Sequence, residues 1–254
     1  MIKADLRRAF GGAFVLALTL YAAQYVLGIV QEINFGGFDA IVCFENARLY
    51  NYLIWVTPVL SALPYARGFV QDWNSGYTSA LLVRQSHRRY AASKWFSCAL
   101  AGGLASAAGL MLFLLVLFLL PGAHTQYYRQ TFMNLGGMTA MLVELDNVPL
   151  YMAGLALLCG LDGALYATAA LAFSAYCPNA CLTLCFPMLV HRADRLIVRA
   201  LALPEWLNFG LLVEGQLGLS FEATLAMGLK VYIPFIVLCG ALFALGVRRR
   251  LEHG

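Results

Sequence analysis

Long apolar runs separated by short polar stretches set the pattern of this chain. The first run is Phe10 to Val30, and the second is Leu53 to about Phe69, with Pro58 and Pro64 inside it. The third is Trp95 to Leu120, ended by Pro121-Gly122, and the fourth is about Pro149 to Tyr176, ended by Pro178-Asn179. A fifth starts at Ala180 and stays apolar only to Val190; a sixth covers about Met227 to Val247 and is closed by Arg248, Arg249 and Arg250. Since ~20 apolar residues cross ~30 Å of hydrocarbon, the pattern predicts about six transmembrane helices in an all-α, polytopic integral membrane protein. Each proline in the second run frees a backbone carbonyl and predicts a kink there.

The polar stretches give the orientation. Ile2, Leu6 and Phe10 alternate with Lys3, Arg7 and Arg8, so residues 1–9 read as a short amphipathic lead-in on the membrane surface. The run that follows is too long for a signal-peptide core and lacks a small-x-small cleavage site, so an uncleaved span is expected. Residues 71–94 form a basic island, with His87, Arg84, Arg88, Arg89 and Lys94 against Asp72 alone. If both termini lie inside, the inner side holds these cations with Lys3, Arg7, Arg8, Arg67 and Arg248 to Arg250. The outer loops then hold Glu32, Asp39, Glu45, Glu144, Asp146, Glu205, Glu214 and Glu222. That asymmetry is the positive-inside pattern, and it agrees with an even number of spans.

Composition points the same way. Of 254 residues, 61% are hydrophobic and 12% charged, with a mean hydropathy of +0.74. A soluble domain carries about a quarter charged residues, twice this share. The net charge of +4 tells less than its distribution. Nothing suggests nucleic acid as a partner. The seven cysteines fall mostly in apolar runs. Cys177, Cys181 and Cys185 share a helical face but lack His or carboxylate partners at ligand spacing, so packing rather than metal is expected.

Candidate chemistry lies where charge meets the apolar runs. Asp162 sits about 13 residues from either end of the fourth run, and a lone carboxylate there costs ~2.5 kcal/mol or more. It is expected to face the bundle interior, a cavity or a cation. Lys230 is a candidate partner, within roughly 5 Å in depth at 1.5 Å per residue; the alternative is that Lys230 snorkels outward while Asp162 is protonated or bonded to Tyr166. His191, Arg192, Arg195 and Arg199 fall within about 100° of arc on the fifth helix. That stripe is either an outer vestibule for anionic groups or a headgroup-level anchor with Asp194 pairing locally. Small residues recur every four positions at Ala99, Gly103 and Ala107, and again at Ala156, Gly160, Ala164, Thr168 and Ala172. They mark close helix packing, within one copy or at a dimer seam.

The basic island has a layout of its own: Asp72, Ser75, Gly76, Leu81, Leu82, Arg84, Ser86, Arg88, Tyr90 and Lys94, then the third span. Together with Phe173-Ser174-Ala175, Pro178-Asn179-Ala180, Phe186-Pro187 and Leu203-Pro204-Glu205-Trp206-Leu207-Asn208, it resembles the permease subunits of type-2 ATP-binding-cassette transporters. Asp72 stands where that family usually has Glu. The resemblance implies a single permease domain over 1–254, in which 71–94 is a coupling segment docked on a cytoplasmic ATPase. Tyr77, Leu81 and Leu82 would offer an apolar ridge, and Arg84, Arg88 and Arg89 charge for carboxylates; Asp72, Gly76, Tyr90 and Lys94 complete the coupling set. The basic cluster read by itself could equally fix topology and touch anionic lipid heads.

The resemblance further implies a pair of permeases, identical or related, exporting a cargo across the cell membrane. ATP and Mg would be bound by the ATPase, because no Gly-x-x-x-x-Gly-Lys-Ser/Thr occurs in this chain. No catalytic motif is present either, and no cofactor is expected in the chain itself. Other readings are an ion-coupled transporter or channel using Asp162, and a non-transporting membrane scaffold or immunity protein.

Overall fold

A computed structural model of the chain describes residues 2–29, 38–50, 55–78, 86–121, 123–124, 147–215 and 217–253. Four helices are long and apolar enough to cross a membrane: Gly12–Ile29, His87–Leu119, Val148–Tyr176 and Phe221–Glu252. In chain order, the helices are α1 (Ile2–Ala9), α2 (Gly12–Ile29), α3 (Ala40–Tyr50), α4 (Thr57–Ala62) and α5 (Gly68–Asn74). They continue as α6 (His87–Leu119), α7 (Val148–Tyr176), α8 (Ala180–Ala200), α9 (Phe209–Glu214) and α10 (Phe221–His253). A two-residue parallel pair joins β1 (Phe38–Asp39) to β2 (Ala123–His124), tying the approach to α3 to the far end of α6.

Two of the six expected runs take another form. The second is broken. Pro58 is tolerated in the first turn of α4, where its missing N–H has no intrahelical partner to lose. Pro64 falls just beyond α4, the chain turns through residues 63–67, and α5 restarts at Gly68. The kink expected from the prolines is therefore a full interruption. The fifth run does begin at Ala180, where the Asn179 side chain accepts from the N–H groups of Cys181 (3.0 Å) and Leu182 (3.1 Å). Its helix continues for 21 residues, through Arg192, Asp194, Arg195 and Arg199.

The third and sixth runs extend beyond their apolar cores. Each gives a helix of 33 residues, about 50 Å at 1.5 Å per residue and some 20 Å more than the hydrocarbon needs. The surplus in α6 is its basic start, His87 to Lys94. The surplus in α10 includes Arg248 to Arg250.

Helix α7 is central. Of its most apolar window 78% is buried, against 33% in α2 and in α10. It meets α6 along the two small-residue stripes. A Cβ placed on Gly103 would lie 2.7 Å from the Gly160 carbonyl oxygen, and one on Gly160 3.6 Å from the Ala107 Cβ. Gly163 is tighter still, with Ser106 Oγ 2.1 Å from where its Cβ would stand. The stripes thus serve packing inside one copy, where backbones approach closely. On its other side α7 receives α10, with Gly228 against Leu158 and Gly246 against Ala175. Helix α2 packs on α6 through Tyr21, which fills the space beside Gly109.

Candidate functional site

One end of the bundle gathers cations from three helices, α1, α6 and α10, around a buried ion cluster. Lys94, on α6, points inward and is fully buried. Its ammonium lies 2.6 Å from Asp72 Oδ2, 2.9 Å from Asp5 Oδ1, and donates to the Tyr65 hydroxyl at 2.8 Å. Arg8 reaches Asp72 Oδ1 at 2.9 Å. Ser93 donates to Asp5 Oδ2 at 2.5 Å, and the Tyr65 hydroxyl donates to Asp5 as well. Two acids and two bases therefore balance, with α1, α5 and α6 each contributing. Burial alone would raise the Asp5 carboxyl. The Lys94 charge and the bonds from Ser93, Tyr65 and Lys94 outweigh it and hold Asp5 below its ordinary value.

This corrects part of the expected coupling surface. Asp72, Tyr90 and Lys94 are interior groups, because the charge on α6 that faces α1 and α5 finds its counter-ions there. Tyr90 is buried with its ring 5.7 Å from the Lys94 ammonium. Gly76 ends the α5 turn in the left-handed region (φ 70) with open space around it. Tyr77, Arg88 and Arg89 are exposed. Leu81, Leu82 and Arg84 lie outside the described residues. Asp5, Arg8, Tyr65 and Ser93 were not singled out from the sequence; an acid alone in a basic lead-in was the one signal for Asp5.

Beside this cluster Arg250, from the end of α10, bonds the carbonyls of Ala175 and Tyr176, and its guanidinium lies 5.2 Å from the Trp73 ring centroid. Both terminal helices thus meet α5 at the same end of the bundle.

Farther along the bundle is a polar chamber. It has a volume of about 40 Å³ and is walled by α2, α3, α4, α6, α7, α8 and α9. Asp162, on α7, faces it and is buried, as expected for a carboxylate among apolar helices. The expected pairing with Lys230 does not form. Gly228 and Tyr232 turn toward α7, and Lys230, two residues from each, is exposed on the opposite face of α10. The Tyr166 hydroxyl also leaves Asp162 and bonds His191 Nδ1 at 2.7 Å.

The basic stripe on α8 divides. His191 is buried in the chamber wall. Arg192 stacks over Trp55, 3.0 Å from the ring centroid. Arg195 donates to Glu214 at 2.9 Å, packed so closely on α9 that a Cβ on Gly210 would meet its guanidinium at 2.5 Å. Arg199 is exposed. Asp194 pairs with none of these side chains in a hydrogen bond; its Oδ2 accepts the Phe209 N–H at 2.9 Å. Arg195 and Asp194 are thus held by the turn of chain from Glu205 to Gly215. Burial raises the Glu214 carboxyl above its ordinary value, with Arg195 and Arg48 opposing. A further ion pair, Arg48 with Glu45 at 2.6 Å, is buried beside the chamber and bonded by Tyr151 and by the Val213 carbonyl.

Comparison of the chain with known protein families, with curated proteins and with solved structures finds no match. The chain stands as a predominantly helical protein with four helices fit to span a membrane, which suggests a multi-pass membrane protein.

Proposed function

We propose that this chain is the membrane subunit of an ATP-driven exporter, one of two permeases worked by separate ATPase subunits at the cytoplasmic face of the cell membrane. The basic end of the bundle carries the reading. There Tyr77, Arg88 and Arg89 stand exposed, and Arg8, Gln71, Asp72, Ser75, Gly76 and Tyr77 form a shallow hollow. An exposed aromatic side chain and exposed guanidinium groups on neighbouring stretches of chain suit a partner bearing carboxylates. Directly beneath, the Lys94 cluster fastens α5 to α6, so a push on the exposed segment moves both helices together.

In this reading residues 1–254 form one permease domain. The four long helices, the broken second run and α8 make six crossings, with both termini cytoplasmic. The meeting of both terminal helices at the cation-rich end supports that orientation. The second permease is a copy of this chain or a related one, and anionic lipid heads share the basic rim. ATP and Mg belong to the ATPase. The cargo path runs between the permeases, with Arg192, Arg195 and Arg199 of α8 toward its outer end.

Purification from its own membranes in mild detergent tests the reading. A stoichiometric subunit with vanadate-sensitive ATP hydrolysis, lost with Arg88→Glu/Arg89→Glu while the folded yield is kept, is expected. A chain that purifies intact without a nucleotide-hydrolysing partner overturns it.

A further inference from the structure

The polar chamber is a site independent of how the protein is driven. Of the side chains that line it, two carry a buried polar atom with no hydrogen-bond partner among the described residues: Asp162 Oδ1 and His191 Nε2. Each residue is only 7% exposed. At ~10–15 Å³ per water, a chamber of about 40 Å³ has room for a few waters and no more. Water in that space would lie between the polar side chains that line it.

The surrounding charges are largely settled among themselves. From α3, Arg48 pairs with Glu45. Between α8 and α9, Arg195 pairs with Glu214. Arg192 lies on the Trp55 ring at the exposed side of α8, where Asp194 accepts from the backbone of Phe209. The other groups facing the chamber are neutral: Tyr21 and Tyr25 from α2, Ser106 from α6, Cys159 and Tyr166 from α7, with Tyr232 of α10 alongside Asp162. Ser106 spends its proton on the carbonyls of Gly103 and Cys159. An ionised Asp162 would then be one uncompensated negative charge among apolar helices, at a cost of several kcal/mol. One bound proton removes that charge. Among the described residues no three His, Cys, Asp or Glu side chains converge to hold a metal ion instead.

His191 gives the proton a second seat. The Tyr166 hydroxyl can donate to Nδ1 or accept from it. Nε2 can therefore be a donor or an acceptor toward the chamber without the imidazole losing its anchor. We infer that the chamber is a proton-binding site in which Asp162 and His191 share one exchangeable proton through water held between them, with Tyr166 positioning the imidazole. In one form Asp162 is a carboxylic acid and His191 neutral. In the other the proton has left the carboxyl oxygen, crossed the water and bonded Nε2, giving carboxylate and imidazolium. Both forms leave the pair with no net charge, and the Arg195 and Arg192 charges near His191 favour the form with the proton on Asp162.

The test uses the full chain in lipid nanodiscs and infrared difference spectra across about pH 5 to 8, where histidine changes charge. Wild type is expected to show a buried carboxyl C=O band that is lost in Asp162→Asn. In His191→Gln the band should grow, because the proton has lost its second seat. A background of His87→Gln, His124→Gln and His253→Gln leaves the chamber intact and isolates His191 for nitrogen-15 NMR. There the imidazole should show exchange between neutral and charged forms, and the exchange should stop with Tyr166→Phe. Absence of an Asp162 band, or a band indifferent to His191→Gln, overturns the shared proton. A band that changes when sodium is replaced by N-methylglucamine overturns it too, since an alkali ion then holds the site. Should a chamber variant fail to fold, the imidazole signal in the otherwise unaltered chamber still decides: a single, non-exchanging form across the titration refutes the proposal.

Discussion

Replacing Lys94 by methionine keeps the length and apolar bulk of the side chain and removes its charge. The ammonium sits 2.6 Å from Asp72 and 2.9 Å from Asp5, and its side chain is 1% exposed. At an effective dielectric of about 20 each contact is worth about 6 kcal/mol of Coulomb energy before desolvation is subtracted. Desolvation of three ions offsets most of that in the intact cluster. In Lys94→Met the offset fails, because both carboxylates stay buried with Arg8 as the one remaining cation of the four. Breaking a buried pair from one side costs ~3–5 kcal/mol, or a fall of ~6–20 °C in melting temperature for a chain of this size. Thermal unfolding of the purified chain in one fixed detergent, followed by tryptophan fluorescence, measures it. Lys94→Met combined with Asp72→Asn removes one charge of each sign and should recover at least half of the loss. A single-variant shift under ~3 °C, or a double variant that melts below both singles, would refute the balanced cluster.

Asp5 gives the cluster a pH signature. Its folded-state value lies below its unfolded one, so its contribution is present above the unfolded carboxylate value and is lost as pH falls through the folded value. Asp5→Asn should flatten the acid limb of the stability curve, seen as a smaller loss of melting temperature between neutral pH and pH ~3. Gly163→Ala puts a methyl group into the space of Ser106 Oγ and should cost ~3 kcal/mol; Ser106→Gly in the same chain should restore most of it, and a melting curve unchanged by Gly163→Ala would contradict the close approach of α6 and α7. Asp162→Asn and Lys230→Met should act independently, their stability changes adding within ~0.5 kcal/mol, since Lys230 faces outward; a double variant better than either single would restore the pairing.

What could be read in the sequence followed from local rules. Proline and asparagine at positions 178 and 179 separate α7 from α8 because one cannot continue a helix and the other caps the next. The four-residue spacing of Gly103 and Ala107, and of Gly160 and Ala164, marks one face on each helix, and these faces meet. Asp162 was placed inward by cost alone. Its partner was not, because counting residues gives depth along a helix and not the direction a side chain faces. That direction is fixed by which residues of α10 can approach α7, and Gly228, not Lys230, lies where the backbones come close. The second run shows a related limit. Two prolines predict disturbance, but whether a helix bends or breaks depends on what packs against the free carbonyls. The ion cluster joins positions 88 apart, as Ser93 and Asp5 are, and no local pattern carries that distance. It also explains why half of a sequence motif that looked like a surface turned inward: a basic run on a long helix is divided by the helix phase into an exposed side, Arg88 and Arg89, and a buried side, Tyr90 and Lys94.

The distance between Asp5 and its partners also imposes an order on biogenesis. Helix α1 leaves the ribosome before its partners: Tyr65 follows Asp5 by 60 positions and Ser93 by 88. At about 5–20 residues per second the longer gap is a delay of roughly 4 to 18 seconds. Until Lys94 emerges, Asp5 lacks the ammonium that faces it in the finished cluster. Closure of the cluster therefore waits on correct insertion of α6. A nascent chain halted before Lys94 keeps α1 only partly latched, within reach of a quality-control protease.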